Sequence, residues 1–195
     1  LYTVRDHCRT AAEFAVSCAK VKKIGYAAVQ ISGVGPIPED EIVRVCAGEG
    51  LSICATHESG KTIVEDPHKV VDRLGKLGCA YTAYPAPHVP LDTPPQVAAL
   101  AKDLDAAGAV LRTAGMTLTY HNHASEFRRV GAKTILQTIY DNTDPRNLQG
   151  EIDTYWVQSG GGDPAAWCTA LKNRLPLLHL KDYGVGPDGR AGVMM

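Results

Sequence analysis

The chain has 195 residues, a formal net charge of −1, 45% hydrophobic residues and 21% charged residues. This composition is typical of a globular protein and argues against a disordered, collagenous or coiled-coil chain. The near-zero charge argues against a nucleic-acid partner, and no apolar run approaches the roughly 20 residues of a membrane helix, so no membrane partner is expected.

Seven short apolar runs predict buried strands. Most are too short for helices and are bounded by Gly, Pro or Asp, which is typical of the strands of a parallel sheet. In chain order the predicted strands are Leu1–Val4, Ala27–Ile31, Leu51–Thr56, Cys79–Tyr84, Met116–His121, Leu148–Ile152 and Leu177–Leu180.

Longer amphipathic segments between these runs predict helices. Asp66-Pro67 and Asp163-Pro164 each place a capping acid before a proline at the first helical position. Glycine follows several of the predicted helix ends, where a left-handed cap would stop the helix. The predicted helices are Ala11–Lys23, Glu39–Glu49, Asp66–Leu77, Pro95–Thr113, Thr134–Tyr140 and Pro164–Lys172.

The alternation of strands and helices predicts an α/β fold with a parallel sheet. Seven strands correspond to about 28 residues per unit, and eight such units would give the roughly 250 residues of a (β/α)8 TIM barrel. We therefore expect residues 1–195 to form a single, C-terminally incomplete TIM-barrel domain that lacks the eighth βα unit. An open seven-stranded sheet fits the count nearly as well. Pro85–Pro90 and Gly184–Met195 are expected to be loops.

The six cysteines are scattered and form no C-x-x-C pair, which favours buried thiols over a disulfide framework. This usage predicts a reducing compartment, and we expect the cytoplasm. No signal peptide is recognisable, but the chain starts at Leu1 rather than at a methionine, so a trimmed leader stays an open alternative.

Polar side chains cluster at or near the ends of the later predicted strands. In a parallel α/β fold the carboxyl ends of the strands share one side, and ligands bind there. A single histidine of this kind is usually structural, but several at equivalent strand ends predict a shared site. The residues are His57, His121, His123, Asp153, His179 and Lys181.

The segment from Tyr120 to His123 carries two of these histidines. Residues two apart on a strand point the same way, so His121 and His123 would share a face while Asn122 points opposite. Imidazole together with carboxylate ligands suits Mn, Zn, Fe or Co rather than Ca. Glu126 follows closely and either reaches the site or caps the loop, and the pattern does not decide between the two.

Asp153 ends an apolar strand, where an unpaired carboxylate would be costly, so a bound cation or a positive neighbour is expected beside it. The alternation in the last run puts His179 and Lys181 on one side. His179 suits a ligand role, and Lys181 could hold a substrate oxygen or stabilise a developing oxyanion. Asp182 would face away as a salt-bridge partner.

Together these motifs resemble the xylose isomerase-like TIM-barrel superfamily, in its sugar phosphate isomerase/epimerase group. The matching segments occur in the family's order and span nearly the whole chain. They are Leu1–Asp6, Gly25–Gly33, Tyr120–His123 with Glu126-Phe127, Ile152–Val157, Gly162–Pro164 and His179–Asp182.

The resemblance implies one divalent metal ion, commonly manganese, with Zn, Co, Mg or Fe as alternatives. Asp153 and His179 match the family's aspartate and histidine ligands. Where many epimerases have a glutamate ligand on the preceding strand, this chain has His121, so that role is divided among His121, His123 and Glu126, and we assign it to His121. No segment matches the family's last glutamate, which is both a ligand and the catalytic base.

The resemblance also implies proton abstraction next to the carbonyl of a sugar or sugar derivative, through an enediolate. Glu58 is a speculative replacement for the missing base, and Tyr155 would add an apolar wall beside Trp156. We assign catalysis to His121, Glu126 and Lys181, and substrate binding to His57, His123, Trp156 and Lys181.

Two other functions stay open. One is a metal-dependent lyase or dehydratase on a cyclitol or glycoside, which would use the same enolate chemistry with loss of a β-substituent. The other is a non-catalytic sugar-binding homologue. The DNA-repair branch of the superfamily is disfavoured because the charge balance offers no positive groove. The sequence does not decide between a monomer and a homo-oligomer.

Overall fold

The computed structural model describes residues 1–193, in which strands and helices alternate along the chain. The strands are β1 (Ala28–Ile31), β2 (Ser52–His57), β3 (Tyr81–Tyr84), β4 (Thr117–His121), β5 (Arg129–Val130), β6 (Lys133–Thr134), β7 (Leu148–Asp153), β8 (Leu177–His179), β9 (Gly184–Val185) and β10 (Ala191–Gly192). The helices are α1 (Ala11–Ile24), α2 (Glu39–Gly48), α3 (Gly60–Glu65), α4 (Pro67–Leu77), α5 (Pro94–Thr113), α6 (Ile135–Asp141), α7 (Thr154–Ser159) and α8 (Pro164–Ala170).

Within residues 1–193, six strands form one parallel sheet in the order β1-β2-β3-β4-β7-β8. Each strand of this sheet pairs with the strand of the same sheet that follows it in the chain, so the strand order never reverses. A doubly wound sheet would have such a reversal, whereas sequential winding is typical of a TIM barrel. The α/β barrel-type fold predicted from the sequence is therefore confirmed, as a partial barrel of six strands.

The prediction of a strand over Leu1–Val4 is wrong. Tyr2–His7 forms a 3-10 helix, in which the Val4 amide donates to the Leu1 carbonyl at 2.9 Å. Arg5 donates to the Tyr2 carbonyl and stacks over the Tyr2 ring. These local bonds satisfy the backbone without a neighbouring strand, and the described sheet has six strands where seven were predicted.

Side-chain caps fix several helix ends where the sequence predicted them. Asp66 accepts the Lys69 amide in the first turn of α4, and Asp163 accepts the Ala165 and Ala166 amides in the first turn of α8, each helix starting with proline. At the end of α4, Gly78 adopts φ +62°, a left-handed conformation that favours glycine.

Three small features differ from the sequence prediction. Helices α3 and α7 were not predicted, because six residues are too few for a clear apolar period. The expected loop at Gly184–Met195 contains the antiparallel hairpin of β9 and β10, and its last two residues lie outside the described residues.

The apolar core lies between the sheet and the surrounding helices. Leu74 and Leu104 on helices and Leu118 and Ile152 on strands belong to one fully buried cluster. A second cluster joins α1 and α2 to β1, around Phe14. All six cysteines are free thiols. No helix among the described residues has the length and apolarity needed to cross a bilayer.

Candidate functional site

Strand register brings the polar side chains together at the carboxyl ends of the parallel strands. His121 at the end of β4 is paired with Glu151 on β7, and Asp153 at the end of β7 is paired with His179 on β8. Paired residues of neighbouring strands project to the same side of a sheet. Two carboxylates and two imidazoles therefore share one small region.

Asp153 lies at the centre of this region, with its side chain almost fully buried. Its Oδ2 lies 3.4 Å from His121 Nε2, 3.7 Å from His179 Nδ1 and 3.4 Å from Lys181 Nζ. Its Oδ1 accepts the amide of Trp156 at 3.1 Å, which caps α7. Asp153 thus combines a capping role with a carboxylate oxygen that faces the imidazoles.

Glu151 is a site residue that the sequence reasoning missed. It is fully buried, and its Oε1 lies 2.7 Å from His57 Nε2 and 2.9 Å from His179 Nε2. Gln30 donates from Nε2 to both Glu151 oxygens, at 3.1 and 2.9 Å. The signal that could have identified it is parity: Glu151 and Asp153 are two residues apart on one strand and therefore share a face.

Each nitrogen of His179 faces a different acceptor group. Nδ1 points toward Asp153, while Nε2 lies 2.9 Å from Glu151 Oε1 and 2.8 Å from Gln30 Oε1. His121 has a similar arrangement, since its Nε2 faces Asp153 and its Nδ1 lies 3.3 Å from the Pro85 carbonyl oxygen. Both rings are therefore oriented by a second acceptor.

These contacts leave the centre with ionised carboxylates. Burial opposes the charge on Glu151, but hydrogen bonds from His179 and His57 lower the pKa of Glu151 to about 2. Burial also opposes charge on His179, but bonds to Asp153 and Glu151 raise the pKa of His179 to about 9. Burial, together with the neighbouring His121, lowers the pKa of His123 to about 4, which keeps that ring neutral.

Two groups of donor atoms could hold a divalent cation, and they share His179. The first is His121, Asp153 and His179, and the second is His57, Glu151 and His179; within each group the donor atoms lie within 4.8 Å of one another. The first group fits the pattern of metal-binding histidines better, because such a histidine directs one nitrogen to the metal and its other N–H to a carboxylate or carbonyl. In the second group, Glu151 is already engaged by Gln30.

A cavity of about 620 Å³ opens over this centre, and we refer to it as the main cavity. Lys181 Nζ lies 4.9 Å from the Trp156 ring centroid, and the His123 and Trp156 rings are 5.3 Å apart, so they form one wall. Seven of the sequence-predicted site residues line this cavity, namely His57, His121, His123, Asp153, Trp156, His179 and Lys181.

Glu126 does not line the main cavity. Its buried carboxylate accepts from the Tyr120 hydroxyl at 3.1 Å, the Ser125 hydroxyl at 2.6 Å and the His123 amide at 3.2 Å. The sequence left open whether Glu126 reaches the site or caps the loop, and these three contacts are typical of a loop cap. A cap inside the protein satisfies backbone and hydroxyl donors that burial would otherwise leave unpaired.

Two other acidic residues near the site also have local partners. Glu58 forms an ion pair with Arg73 at 3.0 Å and belongs to neither group of candidate metal ligands. The expectation that Asp182 serves as a salt-bridge partner is not met: within residues 1–193 its carboxylate accepts the Tyr183 amide and makes no ion pair.

The chain matches the family model of the xylose isomerase-like TIM barrel over residues 18–192. A sugar phosphate isomerase/epimerase from Parabacteroides distasonis is 25% identical, with a TM-score of 0.79 over 93% of this chain and 72% of that one. The probable 3-DHS dehydratase AsbF from Bacillus anthracis is 11% identical, with a TM-score of 0.69 over 95% of this chain and 72% of that one.

A xylose isomerase-like TIM-barrel protein from Mycobacterium smegmatis in complex with magnesium is 16% identical, with a TM-score of 0.66 over 97% of this chain and 73% of that one. No curated protein matches the sequence. The chain thus belongs to the xylose isomerase-like TIM-barrel family.

Proposed function

We propose that this chain is a divalent-metal-dependent isomerase or epimerase of a sugar or sugar derivative. The observation that carries the proposal is the convergence of His121 Nε2, Asp153 Oδ2 and His179 Nδ1, with the second nitrogen of each imidazole held by Pro85 or Glu151. Family membership and the similarity to a sugar phosphate isomerase/epimerase support it.

Two imidazoles and one carboxylate suit manganese, zinc, iron or cobalt. The family resemblance favours manganese among these and adds magnesium as an alternative. A bound divalent cation would polarise a carbonyl and lower the cost of negative charge on the adjacent oxygens. Asp153 would hold the ion, and Glu151 would keep the His179 ring in the orientation that presents Nδ1.

The remaining cavity side chains would position the substrate. Lys181 Nζ, held between Asp153 and the Trp156 face, would donate to an oxygen that gains negative charge in the reaction. Both ring nitrogens of His57 are bonded, to Glu151 and to Ser32, so His57 fixes the floor of the cavity. His123 stands in the cavity wall and would accept a hydrogen bond from a hydroxyl of the substrate.

The test is proton exchange in deuterated water. The protein with Mn²⁺ is incubated with a panel of aldoses, ketoses and their phosphates, and loss of the C–H signal next to the carbonyl is followed by NMR. Exchange that disappears with chelator and in Asp153→Asn, but persists in Asp141→Asn, supports the proposal. Asp141 is a matched control because its carboxylate is half exposed and pairs with Lys133 outside the cavity.

The same experiment separates the lyase alternative, for which the similarity to a dehydratase is the supporting observation. Loss of a β-substituent gives an unsaturated product, whereas isomerisation conserves the formula. A protein that binds Mn²⁺ but produces neither exchange nor product across the panel would be a binding homologue, and the enzymatic proposal would be rejected.

A further inference from the structure

A second cavity lies beside the main cavity and has a different chemical character. Its volume is about 430 Å³, and we refer to it as the side cavity. Most of its exposed wall is apolar carbon. The apolar wall residues are Ala86, Pro87, Val89, Leu91 and Ile135.

The two cavities share wall residues and therefore adjoin each other. Ala86 and His123 line both. The main cavity carries the imidazole, carboxylate and ammonium groups that recognise polar oxygens. A substrate that fills both would therefore have a polar half and an apolar half. Pockets for small molecules commonly have 300–1,000 Å³, so the side cavity alone can take a substantial group.

The apolar wall is pre-formed by the loop that follows β3. The Tyr84 hydroxyl accepts the His88 amide at 3.0 Å and bonds His88 Nδ1 at 2.8 Å. Arg128 donates to the Leu91 carbonyl at 2.9 Å, which holds the far end of the loop. Prolines at positions 85, 87 and 90 also restrict the backbone. A wall fixed in this way lowers the entropy cost of binding a ligand.

The polar groups of the side cavity favour an apolar occupant over a phosphate. Arg128 Nη2 is paired with Asp92 at 3.1 Å, so its charge is already compensated. The Ser125 hydroxyl donates to Glu126, so it is not available to a phosphate, and the Glu126 carboxylate buried behind it places an acidic group nearby. The planar Arg128 guanidinium can instead lie against an aromatic ring.

We propose that the side cavity binds an aromatic aglycone, so that the substrate class is an aryl conjugate of a sugar whose ring bears a carbonyl, rather than a free sugar phosphate; simple aryl glycosides then serve as unreactive binding probes. The inference rests on the proposed function, since the sugar half would occupy the main cavity.

The test compares phenyl and methyl glycosides of the same sugars (gluco, galacto, manno and xylo) by calorimetry on the full chain, with the corresponding sugar phosphates as a third arm. Partial burial of a phenyl ring predicts about tenfold tighter binding of at least one phenyl glycoside than of its methyl partner. Equal affinities, no measurable binding of any phenyl glycoside, or tighter binding of a phosphate would overturn the proposal.

Two variants locate the effect. Val89→Asp and Val89→Trp should each bring the phenyl-to-methyl ratio close to one, because Val89 is a surface-exposed part of the side-cavity wall. The matched control is Val16→Asp on α1, where the valine is also exposed, and it should keep the full ratio. An unchanged ratio in both Val89 variants would place the ring elsewhere and overturn the proposal.

A Mn²⁺ titration of the same samples keeps the two proposals separable. Normal metal binding with equal phenyl and methyl affinities rejects the aglycone subsite alone. Absence of Mn²⁺ binding by the unmodified protein rejects the metal centre, whatever affinities the glycosides show.

Discussion

Replacing Glu151 with glutamine should weaken both the fold and the metal centre. The substitution keeps the shape of a fully buried side chain but removes the charge that faces His57 at 2.7 Å and His179 at 2.9 Å. Removing one partner of a buried ion pair typically costs 3–5 kcal/mol. Asp153 remains as a second acidic neighbour of His179, so we expect a loss of about 2 kcal/mol, or about 4–8 °C in Tm for a chain of this size.

The effect on the metal follows from the orientation of His179. Loss of the carboxylate that accepts from the second nitrogen of a metal-binding histidine typically lowers metal affinity 10–100-fold. We therefore expect Glu151→Gln to lower Mn²⁺ affinity in that range by calorimetry, while urea unfolding in the presence of chelator measures the change in stability.

Glu65→Gln is the matched control for this prediction. Glu65 is exposed and lies 3.9 Å from Lys61 on the same helix, so its loss should change the free energy of unfolding by no more than about 0.5 kcal/mol. If Glu151→Gln were as stable as this control and bound Mn²⁺ as tightly as the unmodified protein, the orienting role of Glu151 would be refuted.

Three further predictions test other parts of the structure. Burial raises the pKa of Glu126, and the hydrogen bond from Ser125 opposes that rise. Ser125→Ala should therefore lower the free energy of unfolding by about 1.5–3 kcal/mol at pH values where Glu126 is ionised, and by less once acid protonates it. A loss of stability that does not change with pH in urea unfolding would contradict this. Gly108→Ala should strongly destabilise the fold, because an added Cβ would lie 2.0 Å from the Asn147 carbonyl oxygen, whereas Gly75→Ala, with open space, should stabilise by about 0.5–1 kcal/mol. With free Mn²⁺ at 100 times its Kd, bound metal should add about 2.7 kcal/mol to the free energy of unfolding. Adding a chelator should remove this stabilisation and lower Tm by about 5–11 °C.

The sequence predicted the architecture well wherever a local signal was strong. Proline and aspartate at the starts of α4 and α8 fixed those helix ends, and short apolar runs located the six strands of the sheet. Leu1–Val4 failed because a four-residue apolar run does not distinguish a strand from a turn of 3-10 helix, and the Arg5–Tyr2 contacts decided the outcome.

The candidate site could be predicted in its residue types but not in its contacts. Because the carboxyl ends of parallel strands share one side, the sequence predicted that His121, Asp153 and His179 lie close together. Glu151 was missed although its parity with Asp153 on the same strand was available, whereas Gln30 lies inside a strand with no such signal of its partners. Their contact depends on the curvature of the sheet, since Gln30 lies on the edge strand β1 and reaches Glu151 on β7, a strand with which β1 does not pair.

Glu126 shows the converse limit. Its sequence position three residues after His123 fits both a site residue and a cap, because both roles need a carboxylate close to the strand end. Burial and three donors distinguish the cap, and these depend on the packing of Tyr120 and Ser125 around it.

The central claim is that His121, Asp153 and His179 bind one divalent ion, and a Mn²⁺ titration of the purified chain by calorimetry tests it most directly. We predict one ion per chain, with binding abolished or weakened by more than 100-fold in Asp153→Asn and His179→Ala and retained in Asp141→Asn. Absence of binding in the unmodified protein, or unchanged affinity in both site variants, would contradict the account.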